Sequence, residues 1–180
     1  SPCCSTISTP WRPRAGTVSA AAPVQDAFRA ACGSGFDRLP EIVRRAHTGK
    51  SRLVGQVRIQ RGSWLAGLAA DAMGLPAAGD SVAMTVESDH RPDCMIWNRS
   101  FGGRAFRSCF RPEQGGLTES IGPLRLHLRL AVEDGRLQYL LSRVSLRGIP
   151  WPRRLAPRLE AWEGAAGAQY HFAVEVRLPF

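Results

Sequence analysis

Lysine is nearly missing from this chain: Lys50 stands alone, and the other 23 of its 24 basic residues are arginines. They are scattered from Arg12 to Arg177, with no block longer than the pairs Arg44-Arg45 and Arg153-Arg154. The formal net charge is +9. Charge spread this evenly reads as a solvated surface rather than a nucleic-acid-binding face, so no nucleic-acid partner is expected. No apolar run approaches the roughly eighteen residues of a membrane-spanning helix, so no membrane partner is expected either. The five cysteines (Cys3, Cys4, Cys32, Cys94, Cys109) are odd in number and lack C-x-x-C or paired ribbon spacing, which points to free thiols and away from zinc or a redox pair. No charged, apolar, small-residue order of a secretory signal stands at the start, and a cytoplasmic location is expected.

Phosphate and acyl chemistry lack their motifs as well. Gly102-Gly103 and Gly115-Gly116 fall between strand candidates, where no strand-to-helix phosphate cradle forms, and Ser63 and Ser108 have no G-x-S-x-G context. Asp89-His90-Arg91-Pro92-Asp93 holds two carboxylates and an imidazole, but no second His or Cys stands at ligand spacing, and it reads as a polar hairpin loop. No metal and no cofactor are expected.

What the sequence does contain suits one domain with its own core: 180 residues, 44% apolar and 22% charged. Residues 1–24, rich in Ser, Thr, Pro and Ala, read as a flexible tail, leaving a single domain over 25–180. A helical period begins near Val24 with Phe28 and Ala31 on one face. A second short helix follows Pro40, with Ile42, Val43 and Ala46 as its stripe and Gly49 as its stop. These two helices should lie against a sheet or plug its end. Leu53–Gln60 is the first strand. A third helix is signalled by Ser63 as N-cap, an apolar face of Trp64, Leu65, Leu68, Ala69 and Ala72, and Gly74 with Pro76 at its end.

From Ser81 the period becomes two. Short runs at 81–89, 94–101, 104–111, 117–121, 124–133, 136–147, 158–163 and 169–178 are separated by Gly, Pro and Asp. Leu124, Leu126, Leu128, Leu130 and Val132 alternate with Arg125, His127 and Arg129, giving one buried and one wet face. His127 and His171 are expected to face water, and His47 to lie at a helix end. So many antiparallel strands with one apolar face must curl to bury it. The predicted fold is mainly β: a meander curled into a lipocalin-like barrel or half-barrel, with two or three short helices from the N-terminal half packed on it or capping it.

Three charges fall on the apolar face, where an ionised group costs several kcal/mol unless paired. Arg99 shares parity with Met95, Trp97 and Phe101; Glu119 with Leu117 and Ile121; Arg143 with Leu137, Tyr139 and Leu141. Two explanations fit. The three charges converge in the barrel interior, with Trp97 and Tyr139 as walls, to orient a small ligand, and Glu119 is then the proton-transfer group. Alternatively, Arg99 and Glu119 form a buried ion pair that only ties two strands together.

Several motifs stand in order along the chain: Trp97-Asn98-Arg99-Ser100-Phe101-Gly102-Gly103, Phe106 with Ser108, Leu117-Thr118-Glu119 before Gly122-Pro123-Leu124, Gly148-Ile149-Pro150-Trp151-Pro152 with Leu155-Ala156-Pro157, and the closing Phe172 to Pro179. Together they resemble the bacterial domain of unknown function 4166 family. The similarity runs from about Phe36 to the end, and Trp151 departs from the family's usual leucine-like residue. The resemblance places Arg99, Phe101, Phe106 and Glu119 within family motifs. It implies either a stand-alone protein or a partner of a Rossmann-type reductase, and no nucleotide-binding segment is evident in this chain.

The resulting expectation is a pocket protein for an apolar, polyketide-, terpenoid- or lipid-like ligand. Glu119 and Arg99 would be its catalytic pair if it acts as a cofactor-independent isomerase or cyclase, and Trp97, Phe101, Phe106, Tyr139 and Arg143 would contact the ligand. The rival is an accessory domain that serves a reductase partner.

Overall fold

A computed structural model describes residues 27–62, 67, 71, 76–91, 94–152 and 154–177. The expected tail lies outside these residues. So does most of the helix expected over 63–74, of which only Gly67 and Asp71 are described, both helical.

The strands are β1 (Ser51–Ile59), β2 (Gly79–His90), β3 (Met95–Phe101), β4 (Arg104–Glu113), β5 (Gly116–Ile121), β6 (Leu124–Glu133), β7 (Arg136–Leu146), β8 (Ile149–Pro150), β9 (Arg158–Ala166) and β10 (Gln169–Arg177). They form one antiparallel sheet in which sequence neighbours pair, from β1 through β7 and then to β9 and β10, with the two-residue β8 beside β7. The sheet curls into a half-barrel. Its edges, β1 and β10, do not pair with each other.

Local chemistry sets this meander. Asp134 and Gly135 both adopt positive φ, 49° and 70°, as the two-residue turn between β6 and β7 requires. At Gly116 the constraint is packing. A Cβ there would lie 2.1 Å from the Leu128 carbonyl oxygen, so the close approach of β5 to β6 needs a residue without a side chain.

The helical segment before β1 fills the hollow of this sheet. It comprises α1 (Ala27–Cys32), a 3-10 turn (Gly33–Arg38) and α2 (Glu41–Ala46), which opens at Pro40 as expected. Helix α1 packs on β4, β5 and β6, while α2 touches β1, β9 and β10 and so covers the seam between the sheet edges. Phe28, Phe36, Val43 and His47 are completely buried. Phe28 contacts Phe110 edge-on, at 5.3 Å between ring centroids, and Tyr139 at 6.3 Å. Burying an aromatic ring of this size is worth roughly 1.5–3 kcal/mol, so the helices are held by packing and not by six-residue helical propensity.

The concave face is therefore divided. At one end Met95, Trp97, Phe110, Leu117, Leu128, Leu137, Tyr139 and Tyr170 are buried under the helices. Towards the other end Phe101, Phe106, Ile121, Leu126, Leu159 and Phe172 are only half-buried, and Val174 and Val176 are exposed.

Candidate functional site

Arg99 and Glu119 lie where the sealed and open parts of the concave face meet. β3, β4 and β5 run side by side, with Arg99 opposite Phe106, Ser108 opposite both Trp97 and Ile121, and Glu119 opposite Phe110. Two-residue periodicity then places Trp97, Arg99, Phe106, Ser108, Phe110 and Glu119 on one surface. The Arg99 guanidinium donates to a Glu119 carboxylate oxygen at 2.9 Å and to Ser108 Oγ at 2.7 Å. It also lies over the rings of Trp97, Phe106 and Phe110, at 4.7, 5.5 and 5.7 Å. The Arg99 and Glu119 side chains are only 14% and 10% exposed. Pairing, a hydroxyl acceptor and three aromatic faces offset the desolvation of the two charges.

A second polar cluster lies deeper, at the closed end. His47 follows α2 and is stacked between Phe28, 4.0 Å away, and Trp97, 5.2 Å away. Its Nε2 lies 2.5 Å from a Glu163 carboxylate oxygen, and both residues are buried. Burial alone would raise the Glu163 carboxyl pKa. The charge and hydrogen bond of His47, aided by the Tyr170 and Tyr139 hydroxyls, outweigh it, and the carboxyl is held below its ordinary range. Tyr139 and Tyr170 are pushed well above the usual phenol range, first by burial and then by the negative field of Glu163. The two clusters are electrostatically joined, because Glu119 adds to the rise at Tyr139 and Arg99 opposes it at Tyr170.

Three buried polar atoms in this interior have no hydrogen-bond partner among the described residues: His47 Nδ1, Trp97 Nε1 and the Tyr139 hydroxyl. The Tyr139 hydroxyl therefore lies in the field of Glu163 without completing a bond to it. A buried polar atom left unpaired costs about 1–3 kcal/mol, so these three atoms are hydrogen-bonding capacity that the described residues leave unused.

The structure brings together most of the residues picked out by sequence. Trp97, Arg99, Phe106 and Glu119 meet directly, and Phe101 stacks on Phe106 at 5.6 Å. Tyr139 is inside but belongs to the deeper cluster. Arg143 is misplaced by simple alternation. The register of β6 against β7 shifts between His127 and Leu128, so that His127 faces Arg143 while Leu128 faces Leu141. Ser142 is the extra residue of this bulge, and beyond it Val144 takes the inward position. The Arg143 side chain is 55% exposed on the outer surface, 3.8 Å from Glu113. There it approaches the His127 ring, whose Nδ1 meets Glu113 at 2.7 Å. His127 is thus on the outer face as its parity requires, yet 8% exposed and not open to water.

His47, Glu163 and Tyr170 join the site without being among the residues expected from sequence. Glu163 carried a signal, since it shares parity with Leu159 and Ala161 and is a charge on an apolar face like Arg99 and Glu119. His47 carried none, because a helix end says nothing about what the helix packs on.

Other features lie outside this interior. Among the described residues no group of three or more His, Cys, Asp or Glu is placed to hold a metal ion. No helix among them is long and apolar enough to cross a membrane. A hollow of about 670 Å³ lies beside Ile59–Gly62 and Ala78–Asp80, at the β1–β2 end.

Fold and site together define an antiparallel half-barrel whose concave face carries a buried, mixed-charge polar network under a helical plug. Comparison with protein families matches residues 39–180 to a domain of unknown function (DUF4166), and the chain belongs to that family. No curated protein and no solved structure matches it.

Proposed function

We propose that this domain binds an apolar small molecule on the open half of its concave face, with the guest's polar end directed at Arg99 and Glu119. The observation that carries the reading is the position of that pair. It lies at the inner end of an apolar surface formed by Phe101, Phe106, Ile121, Leu126 and Phe172, where the polar contacts of a ligand site are useful. An apolar face with a few convergent polar groups suits a lipid-, polyketide- or terpenoid-like guest carrying one hydroxyl or carbonyl. Behind it, the unpartnered His47, Trp97 and Tyr139 atoms supply further hydrogen-bonding capacity. Glu119 is the group on this surface able to move a proton, which makes a cofactor-independent isomerisation or cyclisation the chemistry in keeping with the site. Titration with neutral N-phenylnaphthylamine tests the binding. One-site fluorescence enhancement, weakened several-fold in Phe106→Ala, is expected; no saturable enhancement would remove the proposal.

A second reading, an accessory domain that docks on a partner such as a reductase, draws on the β7–β9 connection. Leu146, Ile149, Trp151 and Leu155 there are 38%, 72%, 37% and 55% exposed. Cross-linking from this connection to a co-purifying protein would favour it over the ligand reading.

A further inference from the structure

The open end of the half-barrel differs in charge from the plugged end. In the meander the β3–β4, β5–β6 and β7–β9 connections fall at the open end, and none of them contains Asp or Glu. At the plugged end Asp89, Glu113, Glu133 and Asp134 stand at or beside the turns. The remaining open-end connection, from β1 to β2, brings Asp71 and, at the start of β2, Asp80, and these lie 2.9 and 3.3 Å from Arg61 and Arg58.

The β7–β9 connection carries an apolar lip. A two-residue turn, Arg147-Gly148, sets Ile149 opposite Leu146, and the Trp151 amide donates to the Val144 carbonyl at 2.8 Å, which extends the pairing past β8. Val144 is buried inside the half-barrel, so pairing and alternation place Leu146, Ile149 and Trp151 on its side, as a continuation of the concave face beyond the mouth. Trp151 Nε1 donates to the Leu155 carbonyl at 2.9 Å and brings Leu155 to the same lip. All four side chains are exposed.

Arginines border the lip. From Leu146 to Arg158 the sequence holds four arginines and no Asp or Glu. Arg147 and Arg154 are exposed, and neither has an ion-pair partner among the described residues. Arg147 holds φ at 50°, a turn conformation that favours Asn, Asp or Gly and that Asp134 adopts between β6 and β7. A cation is thus kept at the tip of the hairpin against the local backbone preference.

We propose that this end docks on the surface of an anionic lipid bilayer, with Ile149 and Trp151 entering the interfacial layer and Arg147 and Arg154 meeting the headgroups. A bilayer offers hydrocarbon just beneath negative charge, which matches a narrow apolar lip bordered by charges of one sign, and an indole ring suits that layer. For a protein partner the lip is small, since Leu146 and Trp151 are only 38% and 37% exposed and a stable interface buries roughly 800 Å² per partner. The expectation of no membrane partner concerns spanning helices and does not bear on a surface contact. The proposal stands apart from the ligand reading, although it turns the mouth of the concave face towards a source of apolar molecules.

The test is co-sedimentation of the full chain at low salt with vesicles of phosphatidylcholine alone and of equimolar phosphatidylcholine and phosphatidylserine. Binding to the mixed vesicles, about tenfold or more above that to phosphatidylcholine, is expected. Ile149→Ser/Trp151→Ser and Arg147→Gln/Arg154→Gln should each lose about tenfold in partitioning. Arg52→Gln/Arg129→Gln, which removes the same charge at exposed positions away from the lip, should stay within about twofold of the wild type. Bromine-labelled lipid in the mixed vesicles should quench the wild-type tryptophan emission more than that of Trp151→Phe. An equal loss in the Arg52/Arg129 control would overturn the assignment as attraction to net charge alone, and undiminished binding of the Ile149→Ser/Trp151→Ser variant would overturn it by placing the contact elsewhere. Absence of vesicle binding, with cross-links from the lip to a protein, would overturn it in favour of the docking reading. Should the lip double variant fail to fold, Ile149→Ser alone and the quenching decide.

Discussion

His47 and Glu163, separated by 116 positions in the chain, meet inside the half-barrel with Nε2 2.5 Å from a carboxylate oxygen. The contact joins the helical plug to β9, next to the edge of the sheet, so it ties a polar bond to the closing of the seam. Replacing Glu163 with Gln should destabilise the domain by about 1–3 kcal/mol at neutral pH, because the buried imidazole loses a charged partner. Denaturant unfolding of both proteins measures this.

The pH dependence follows from the direction of the shift. The Glu163 carboxyl is held below its ordinary value of 4.5, so the unfolded chain takes up the proton first as pH falls. Its contribution is fully present above about pH 4.5 and is lost as pH drops from there through the lower folded value. Thermal melts at stepped acidic pH should lose stability in this window, and Glu163→Gln should lose less of it. An identical acid limb in both proteins would contradict this origin.

The chain's two tyrosines, Tyr139 and Tyr170, are both buried and both pushed well above the usual phenol range of about 10. Ultraviolet titration of the native protein should therefore show no phenolate absorbance near pH 10, and phenolate should appear together with unfolding. A smooth reversible titration centred near pH 10 would mean that at least one ring is solvated.

Arg99 and Glu119 are buried and paired, so removing one strands the other. Arg99→Met and Glu119→Gln should each cost about 3–5 kcal/mol, and the double variant clearly less than the two added together. A double-mutant cycle by chemical denaturation checks this, and additive losses would mean that the pair is not coupled.

The β7 bulge gives a test of registry. Deleting Ser142 removes the extra residue and leaves Leu141, Arg143 and Val144 opposite Leu128, His127 and Leu126 in plain alternation, so the product should fold with Arg143 still outside and Val144 still inside. Ser142→Ala keeps the bulge and loses only the hydrogen bond from Oγ to the His127 carbonyl, at a cost of about 0.5–1.5 kcal/mol. Circular dichroism and denaturant unfolding check both variants, and a deletion product that does not fold would contradict this register.

Much of the molecule was readable from local pattern. The alternation at Leu124–Glu133 and the Asp134-Gly135 turn gave β6, β7 and their connection almost residue for residue, since side-chain period and turn chemistry are properties of adjacent residues. Charges out of place by parity located Arg99 and Glu119, and the same test applied to Leu159, Ala161 and Glu163 reaches the deeper cluster as well.

Sequence alone determined the meander, its turns and the inward direction of Arg99 and Glu119, because each follows from residues a few positions apart. Tertiary structure decided the rest. The bulge at Ser142 depends on how β7 meets β6, and it reversed Arg143 where counting by twos could not. The union of His47 with Glu163 depends on a helix from the start of the domain lying across strands from its end. Which buried groups meet there is fixed by packing over long chain separations, and no local period encodes it.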